Sequence, residues 1–356
     1  MTKEERLKKR HRAEKRFRFY GLTSIFVALL FVVILVQNIF SKGSSAFKKT
    51  IITTEVFFDQ ELLEIQNGAS QEEIMEADFY DIMIENLIKA YPAKNRDEED
   101  ELLKLFSGDA EIEIKKAFLN DNSLIGKTIT LDLTASDDID QLHKGNYPRD
   151  LPEERRRISD FQLVIYDYFV ENKKISKNFN NYFFNNGDSR DPELAGIGGA
   201  LVGSFYSILI CLLLAFPVAV LASIYLEEFA PKNKITDFIE ININNLAAVP
   251  SIVYGLLALQ ILLATIQLPR STPLVAGITL ALMTLPRIII PCRASLKAVP
   301  PSIREGALAV GASKFQSVFH HVVPLALPGT LSGTIIGLAQ ALGETAPLIL
   351  IGMVAF

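Results

Sequence analysis

The chain has no tryptophan and, in 356 residues, only two cysteines, Cys211 and Cys292. Both fall in or beside apolar runs, and residues 41–193 contain none. No disulfide framework can therefore be drawn, and both are read as small packing residues. A basic folded domain is missing too: the formal net charge is −5, which argues against a nucleic-acid binder. The glycine pattern of a phosphate-cradling loop is also absent. Gly126-Lys127-Thr128 has the right ending, but the glycine required five positions before Gly126 is Asp121, so no nucleotide site is encoded. His320 and His321 are too isolated for a metal site. With 49% hydrophobic residues the chain is not intrinsically disordered.

What is present is a set of long apolar runs and a strong segregation of charge. The mean hydropathy of +0.25 is high for a soluble domain, yet 22% charged residues is high for a chain wholly in lipid. The two agree only if charge and apolar surface are separated along the chain. Residues 1–20 carry nine Lys/Arg against three Asp/Glu, residues 41–193 carry nineteen against thirty-two, and residues 194–356 carry eight against six. The chain thus divides into a basic tail (1–20), an apolar segment (21–40), an acidic domain (41–193) and a nearly neutral membrane core (194–356).

Residues 22–40 are long enough to cross a ~30 Å hydrocarbon core as a helix. Ser44-Ser45-Ala46 loosely resembles a signal-peptide cleavage site, but the apolar stretch is longer than such peptides need, so a retained anchor is expected. Further spans are expected at 196–226, 246–268, 273–290 and 326–350. The placement of Lys and Arg in the flanks predicts a cytoplasmic amino terminus, with 41–193 outside, 227–245 inside, 269–272 outside and 293–321 inside. The acidic domain reads as α+β: Ile74, Phe79, Ile82, Met83, Leu87 and Ile88 recur at helical spacing within 72–90, whereas 50–58 and 128–133 read as strands. Its acidic runs read as a solvated face, and the Asn- and Phe-rich stretch 178–186 as a loop re-entering the membrane interface.

The segment Arg304-Glu305-Gly306-Ala307-Leu308-Ala309-Val310-Gly311, with Pro324 thirteen residues later, carries the most specific spacing. It resembles the coupling loop of bacterial ABC importer permeases: Glu-Ala-Ala, three residues, Gly, nine residues, Ile, one residue, Leu-Pro. Gly306, His321 and Val323 depart in residue type and the spacing is kept. Small residues at 306 and 307 and a glycine at 311 let a short helix turn sharply and lie in a groove on another protein, with Glu305 and neighbouring cations setting its register. Val249-Pro250-Ser251-Ile252-Val253-Tyr254-Gly255, Val299-Pro300-Pro301-Ser302-Ile303-Arg304-Glu305, Pro328-Gly329 and Gly343-Glu344-Thr345-Ala346-Pro347 narrow the resemblance to the PstA-type permeases of phosphate ABC importers. The likeness covers about 196–356. Gln340 stands where many relatives carry Arg, and relatives usually have one more membrane helix, so the natural chain is expected to extend past Phe356.

The resemblance implies an all-α polytopic membrane protein, a type I ABC importer permease core with an inserted α+β extracytoplasmic domain, in a bacterial inner membrane. It implies a non-catalytic subunit that binds no cofactor itself, ATP being used by two cytoplasmic ATPase subunits. A second homologous permease, a periplasmic phosphate-binding protein and the phosphate ion are the other implied partners. Sulfate or molybdate is the alternative cargo. A membrane-anchored receptor with an outer sensor domain is the alternative class, although it lacks a cytoplasmic output domain and leaves the coupling spacing unexplained.

Independently of the resemblance, an ionisable group inside a membrane segment costs on the order of 3 kcal/mol, so it normally faces a bundle interior or a water-filled path and has a partner. Glu344 and Arg287 are the two such groups, and with Gln340 and Thr345 they are the expected pathway residues; the plainer reading of Arg287 is an interfacial anchor and of Glu344 an ion pair with the second permease. Gly329, Gly333 and Gly337 repeat every four residues, as do Gly199 and Gly203, and such stripes let helices pack closely.

Overall fold

The computed structural model describes residues 3–65, 71–91 and 93–353, which divide into two units, Met1–Gly196 and Ile197–Phe356. The ends of the basic tail (1–2) and of the last apolar run (354–356) lie outside the described residues.

The first unit opens with a 41-residue helix, α1 (Lys3–Gly43). The basic tail and the first apolar segment are thus one element. Lys, Arg, Glu and Ala are strong helix formers, nothing before Gly21 interrupts them, and Arg18 pairs with Glu14 one turn away at 2.7 Å. The large apolar side chains of α1 from Leu22 to Phe40 are exposed, with none buried against this chain.

The remainder of this unit contains β1 (Lys48–Phe57), α2 (Phe79–Ala90), α3 (Ala110–Asn120), β2 (Thr128–Thr134), α4 (Asp137–Lys144), α5 (Asp160–Glu171) and β3 (Ile175–Phe179), with shorter turns between them. The strands form an antiparallel sheet in the order β2-β1-β3, with Ile52 opposite Leu133 on one side and Ile175 on the other. Thr50, Ile52, Thr54 and Val56 alternate inward, and Ile52 and Val56 share one core with Phe79, Ile82 and Leu87 of α2, Ile114 and Phe118 of α3 and Phe169 of α5. The two polar inward positions are not all left bare: Asp140 accepts from Thr50 N at 2.9 Å and Oγ1 at 2.8 Å and is neutralised by Lys144 at 2.6 Å.

Two expectations for this unit need correction. The 72–90 stretch is two helices, Gln71–Glu76 and α2, because Asp78 leaves the helical conformation and caps α2, accepting from Tyr80 N and Asp81 N. The 178–186 stretch is a strand end followed by a short helix, Asn181–Asn185, and Phe179, Phe183 and Phe184 pack with Phe47 in one aromatic group with centroids 5.2–5.9 Å apart.

The second unit contains α6 (Gly198–Ile224), α7 (Lys234–Ala247), α8 (Ser251–Ala258), α9 (Pro273–Ala298), α10 (Pro301–Ala309), α11 (Val323–Leu342) and α12 (Ala346–Leu350), with a short helix, Lys314–Ser317, between α10 and α11. Three wide π-helical turns, Tyr225–Phe229, Leu259–Thr265 and Val318–Val322, extend α6 and α8 and lead into α11. Among the described residues four helices are long and apolar enough to cross a membrane, and a bent pair makes a fifth candidate.

That pair corrects the straight span expected at 246–268. Lys234–Ala247 and Ser251–Thr265 meet at 101°. Pro250 supplies no N–H and excludes the helical conformation from the residue before it, so the chain must turn there. The span expected at 326–350 also shifts: the helix runs from Lys314 to Leu342, and Gly343, Glu344 and Thr345 are non-helical before α12. Pro347 fits the first turn of a new helix and not the interior of a continuing one.

Small residues set the helix spacing. Ser207, Cys211, Ala215, Ala219 and Ser223 are buried every four residues along α6. A Cβ on Gly277 of α9 would lie 2.6 Å from Ile210 and 2.9 Å from the Ser207 carbonyl, so α6 and α9 touch nearly backbone to backbone there.

Candidate functional site

The segment 293–321 is a helix-turn-helix whose shape follows from its punctuation. Pro300 and Pro301 end α9 and start α10, with Pro301 in the first helical turn, where its missing N–H costs nothing. At the other end Gly311 takes φ +91°, Gly311 N donates to Leu308 O at 3.0 Å and Ala312 N donates to Ala307 O at 3.1 Å. This pair of bonds around a left-handed residue is the Schellman termination, and it makes Gly311 the one position in the loop whose backbone demands glycine. Ser313 then caps the next helix: its hydroxyl accepts from Gln316 N and the Gln316 side chain accepts from Ser313 N. The sequence signal for this capping box is Ser-x-x-Gln, Ser313 to Gln316.

The six expected coupling residues separate by direction. Glu305 and Gly306 are exposed, and a Cβ on Gly306 would meet nothing within 4 Å. Leu308, Val310 and Phe315 are also exposed, Val310 at 86%. Ala307 is buried inside the chain. Pro324 is exposed just past the wide turn Val318–Val322, which absorbs the break its ring makes in the helical ladder. Arg304 turns inward. Its Nε and Nη2 donate to the Glu228 carboxylate at 2.5–3.2 Å, Nη1 donates to Val299 O at 2.7 Å, and Nη2 donates to Leu296 O at 2.9 Å. Its guanidinium therefore works within this chain, and Glu228, not anticipated from the sequence, is its counter-ion. The adjacent Glu227 faces Arg293 at 3.4 Å and Lys297 at 3.8 Å, and Arg293 also reaches Glu240 of α7 at 2.6 Å.

Deeper in the helices Arg287 of α9 and Glu344 of the Gly343–Thr345 break come together, Nη1 to Oε1 at 3.4 Å, with 19% and 18% of their side chains exposed. Losing the helix at 343–345 frees Glu344 to reach across to α9. Gln340 and Thr345 are exposed, and among the described residues their side chains make no hydrogen bond. The structure thus joins two of the four expected pathway residues. Motifs far apart in sequence also meet: a Cβ on Gly255 would lie 2.7 Å from Pro347 Cα.

Gly329, Gly333 and Gly337 all face α9 of the same chain. A Cβ would strike Ser295 at Gly329, approach Pro291 to 2.5 Å at Gly333 and Thr284 to 3.3 Å at Gly337. Gly203, by contrast, faces open space. Among the described residues no group of three or more His, Cys, Asp or Glu side chains could hold a metal ion.

Comparison with known proteins gives two family matches. Residues 194–355 match the family described as binding-protein-dependent transport system inner membrane component, and residues 4–153 match a domain of unknown function, DUF3333. The probable ABC transporter permease protein YqgI of Bacillus subtilis is 31% identical over 154 residues, covering 43% of this chain and 52% of that protein. The phosphate transport system permease protein PstA 1 of Mycobacterium tuberculosis is 33% identical over 160 residues, 44% of this chain and 51% of the relative. The chain spans about half the length of the curated relatives it matches. A structure titled as inward-facing conformations of the MetNI methionine ABC transporter aligns at 23% identity with a TM-score of 0.34, over 42% of this chain and 68% of that one.

Proposed function

We propose that this chain, whose residues 194–355 match the binding-protein-dependent transport system inner membrane component family, is a PstA-type transmembrane subunit of an ATP-driven phosphate importer. The observation that carries the reading is the loop 293–321. Its termination at Gly311 closes a helical hairpin on which Glu305, Leu308, Val310 and Phe315 are exposed. Exposed residues of mixed polarity on such a hairpin suit docking into a groove on another protein, as a coupling loop does with an ATPase subunit.

In this mechanism the chemistry of ATP belongs to two cytoplasmic partner subunits, and the chain contributes motion. Displacement of α10 tilts the membrane helices attached to it and opens the pathway alternately to each side. A second permease completes the pathway, and a phosphate-binding protein outside delivers the ion. The Arg287–Glu344 pair is part of that pathway: paired with Glu344, the guanidinium is held without net charge in the helices, and an arriving phosphate competes for it. The amino terminus is assigned to the cytoplasm and the acidic domain to the outer side, where its net negative charge suits docking to a partner more than collecting an anion.

Replacing Arg287 or Glu344 by Gln and measuring uptake of radiolabelled phosphate tests the pathway role. Uptake should fall by roughly tenfold or more, since removing one member leaves the other charge partly buried and unpaired. Normal uptake by membrane-inserted variants overturns it.

A further inference from the structure

The loop 293–321 must pass its displacement to the membrane helices, and one cluster of charges is built where that has to happen. The wide turn Tyr225–Phe229 that ends α6 carries Glu227 and Glu228 side by side, and they face two different sets of cations. Glu228, with 7% of its side chain exposed, takes both Nε and Nη2 of Arg304. The same guanidinium donates to Leu296 O in the last turn of α9 and to the O of its cap residue Val299, where the partial negative charge of the helix end suits a cation. One side chain on α10 thereby ties together the ends of α6 and α9. Glu227 holds Arg293 and Lys297 of α9, and Arg293 reaches on to Glu240 of α7. Four helices meet through this cluster, and α10 joins it through Arg304, beside Ile303, which packs on the apolar group containing Ile224, Leu296 and Val299.

Resting on the transporter reading above, we propose that Glu228 is a positioning residue that, through Arg304, converts displacement of the coupling helix α10 into movement of α6 and α9. A flexible apolar contact would let α10 slide under load. A multidentate guanidinium clamp resists sliding because several directional bonds must break together. Glu305, the next residue, is exposed and serves the partner surface, so the Arg304-Glu305 dipeptide divides the work between an inward and an exposed side chain.

The test uses the full chain assembled with the second permease, the ATPase subunits and the phosphate-binding protein in proteoliposomes, measuring phosphate delivered per ATP hydrolysed. In Glu228→Gln and in Arg304→Gln, ATP hydrolysis should stay within about twofold while phosphate per ATP falls by about tenfold. The charge exchange Glu228→Arg with Arg304→Glu should recover part of the ratio. In Glu305→Gln hydrolysis and transport should fall together at an unchanged ratio. A wild-type ratio in both single glutamine variants, or a proportional loss of hydrolysis and transport, overturns the proposal. If a glutamine variant fails to assemble, Arg304→Lys keeps the charge without the multidentate geometry: a lowered ratio supports the clamp and an unchanged one overturns it. If the wild-type complex moves no phosphate, the functional reading fails, and the clamp is then tested by thermal unfolding of the full chain in nanodiscs. The double glutamine variant should lose no more Tm than either single variant, and additive losses overturn the clamp.

Discussion

Glycines with the same residue name do different work here, and the surroundings decide which can be changed. Gly333 sits where a Cβ would come 2.5 Å from the Pro291 ring, so Gly333→Leu should lower stability by about 1–3 kcal/mol or more through overpacking. Gly306 faces open space on a helix, so Gly306→Ala should leave the isolated chain unchanged or up to about 1 kcal/mol more stable. Thermal unfolding of both variants checks the contrast, and equal effects would count against the packing. A second residue-scale expectation concerns His143 on α4, 3.0 Å from Tyr166 Oη. Burial, followed by the positive charge of Lys177 and opposed by Asp140, lowers its pKa below the ordinary value of 6.5. The folded state therefore prefers neutral imidazole. The stability this contributes is present above about pH 6.5 and is lost as pH falls below that value toward the folded pKa. His143→Gln should flatten the acid limb of the stability profile, and an unchanged limb would exclude His143 as its source. The Gly329, Gly333 and Gly337 stripe was legible as a packing feature from its period, whereas the Arg304–Glu228 pair was not, because 76 residues separate its members and no periodicity links them.

At the scale of elements, apolar length located the membrane helices, and proline and glycine chemistry located their breaks. The apolar run 246–268 crosses Pro250, whose effect on the residue before it is the local signal for the break. The span expected at 326–350 likewise runs through Gly343–Thr345, where Pro347 marks a fresh start. β1 and β2 lie within a few residues of the expected strands because β-branched runs are strong signals, β3 has one β-branched residue in Ile-Ser-Lys-Asn-Phe and was not expected, and α2 begins later than expected because an Asp side chain offers the backbone an alternative to helix. The hairpin 301–317 carries its own element-scale expectation. Ser313 supplies one half of a capping box, so Ser313→Ala should cost about 1 kcal/mol locally and speed amide hydrogen exchange over residues 314–317. Unchanged exchange there would mean that the cap does not hold the hairpin.

For the whole molecule, the net charge of −5 is the remainder of a basic amino-terminal stretch, an acidic unit and a nearly neutral helical unit. The proposed function rests on the part with least charge, where ion pairs such as Arg287–Glu344, Arg293–Glu227 and Arg304–Glu228 join separate segments. The acidic unit has its own core, and deleting residues 45–185 should weaken receptor docking or assembly of the importer while leaving the helical unit able to insert. Wild-type transport after that deletion would show the unit to be dispensable. The central claim is tested most directly by reconstituting the full chain with its second permease, ATPase subunits and phosphate-binding protein in proteoliposomes and following ion accumulation with ATP supplied on the ATPase side. The account predicts saturable, ATP-dependent accumulation of phosphate that excess sulfate or molybdate leaves intact. Accumulation of sulfate or molybdate in its place, or ATP hydrolysis with no phosphate movement in the wild-type complex, would contradict it.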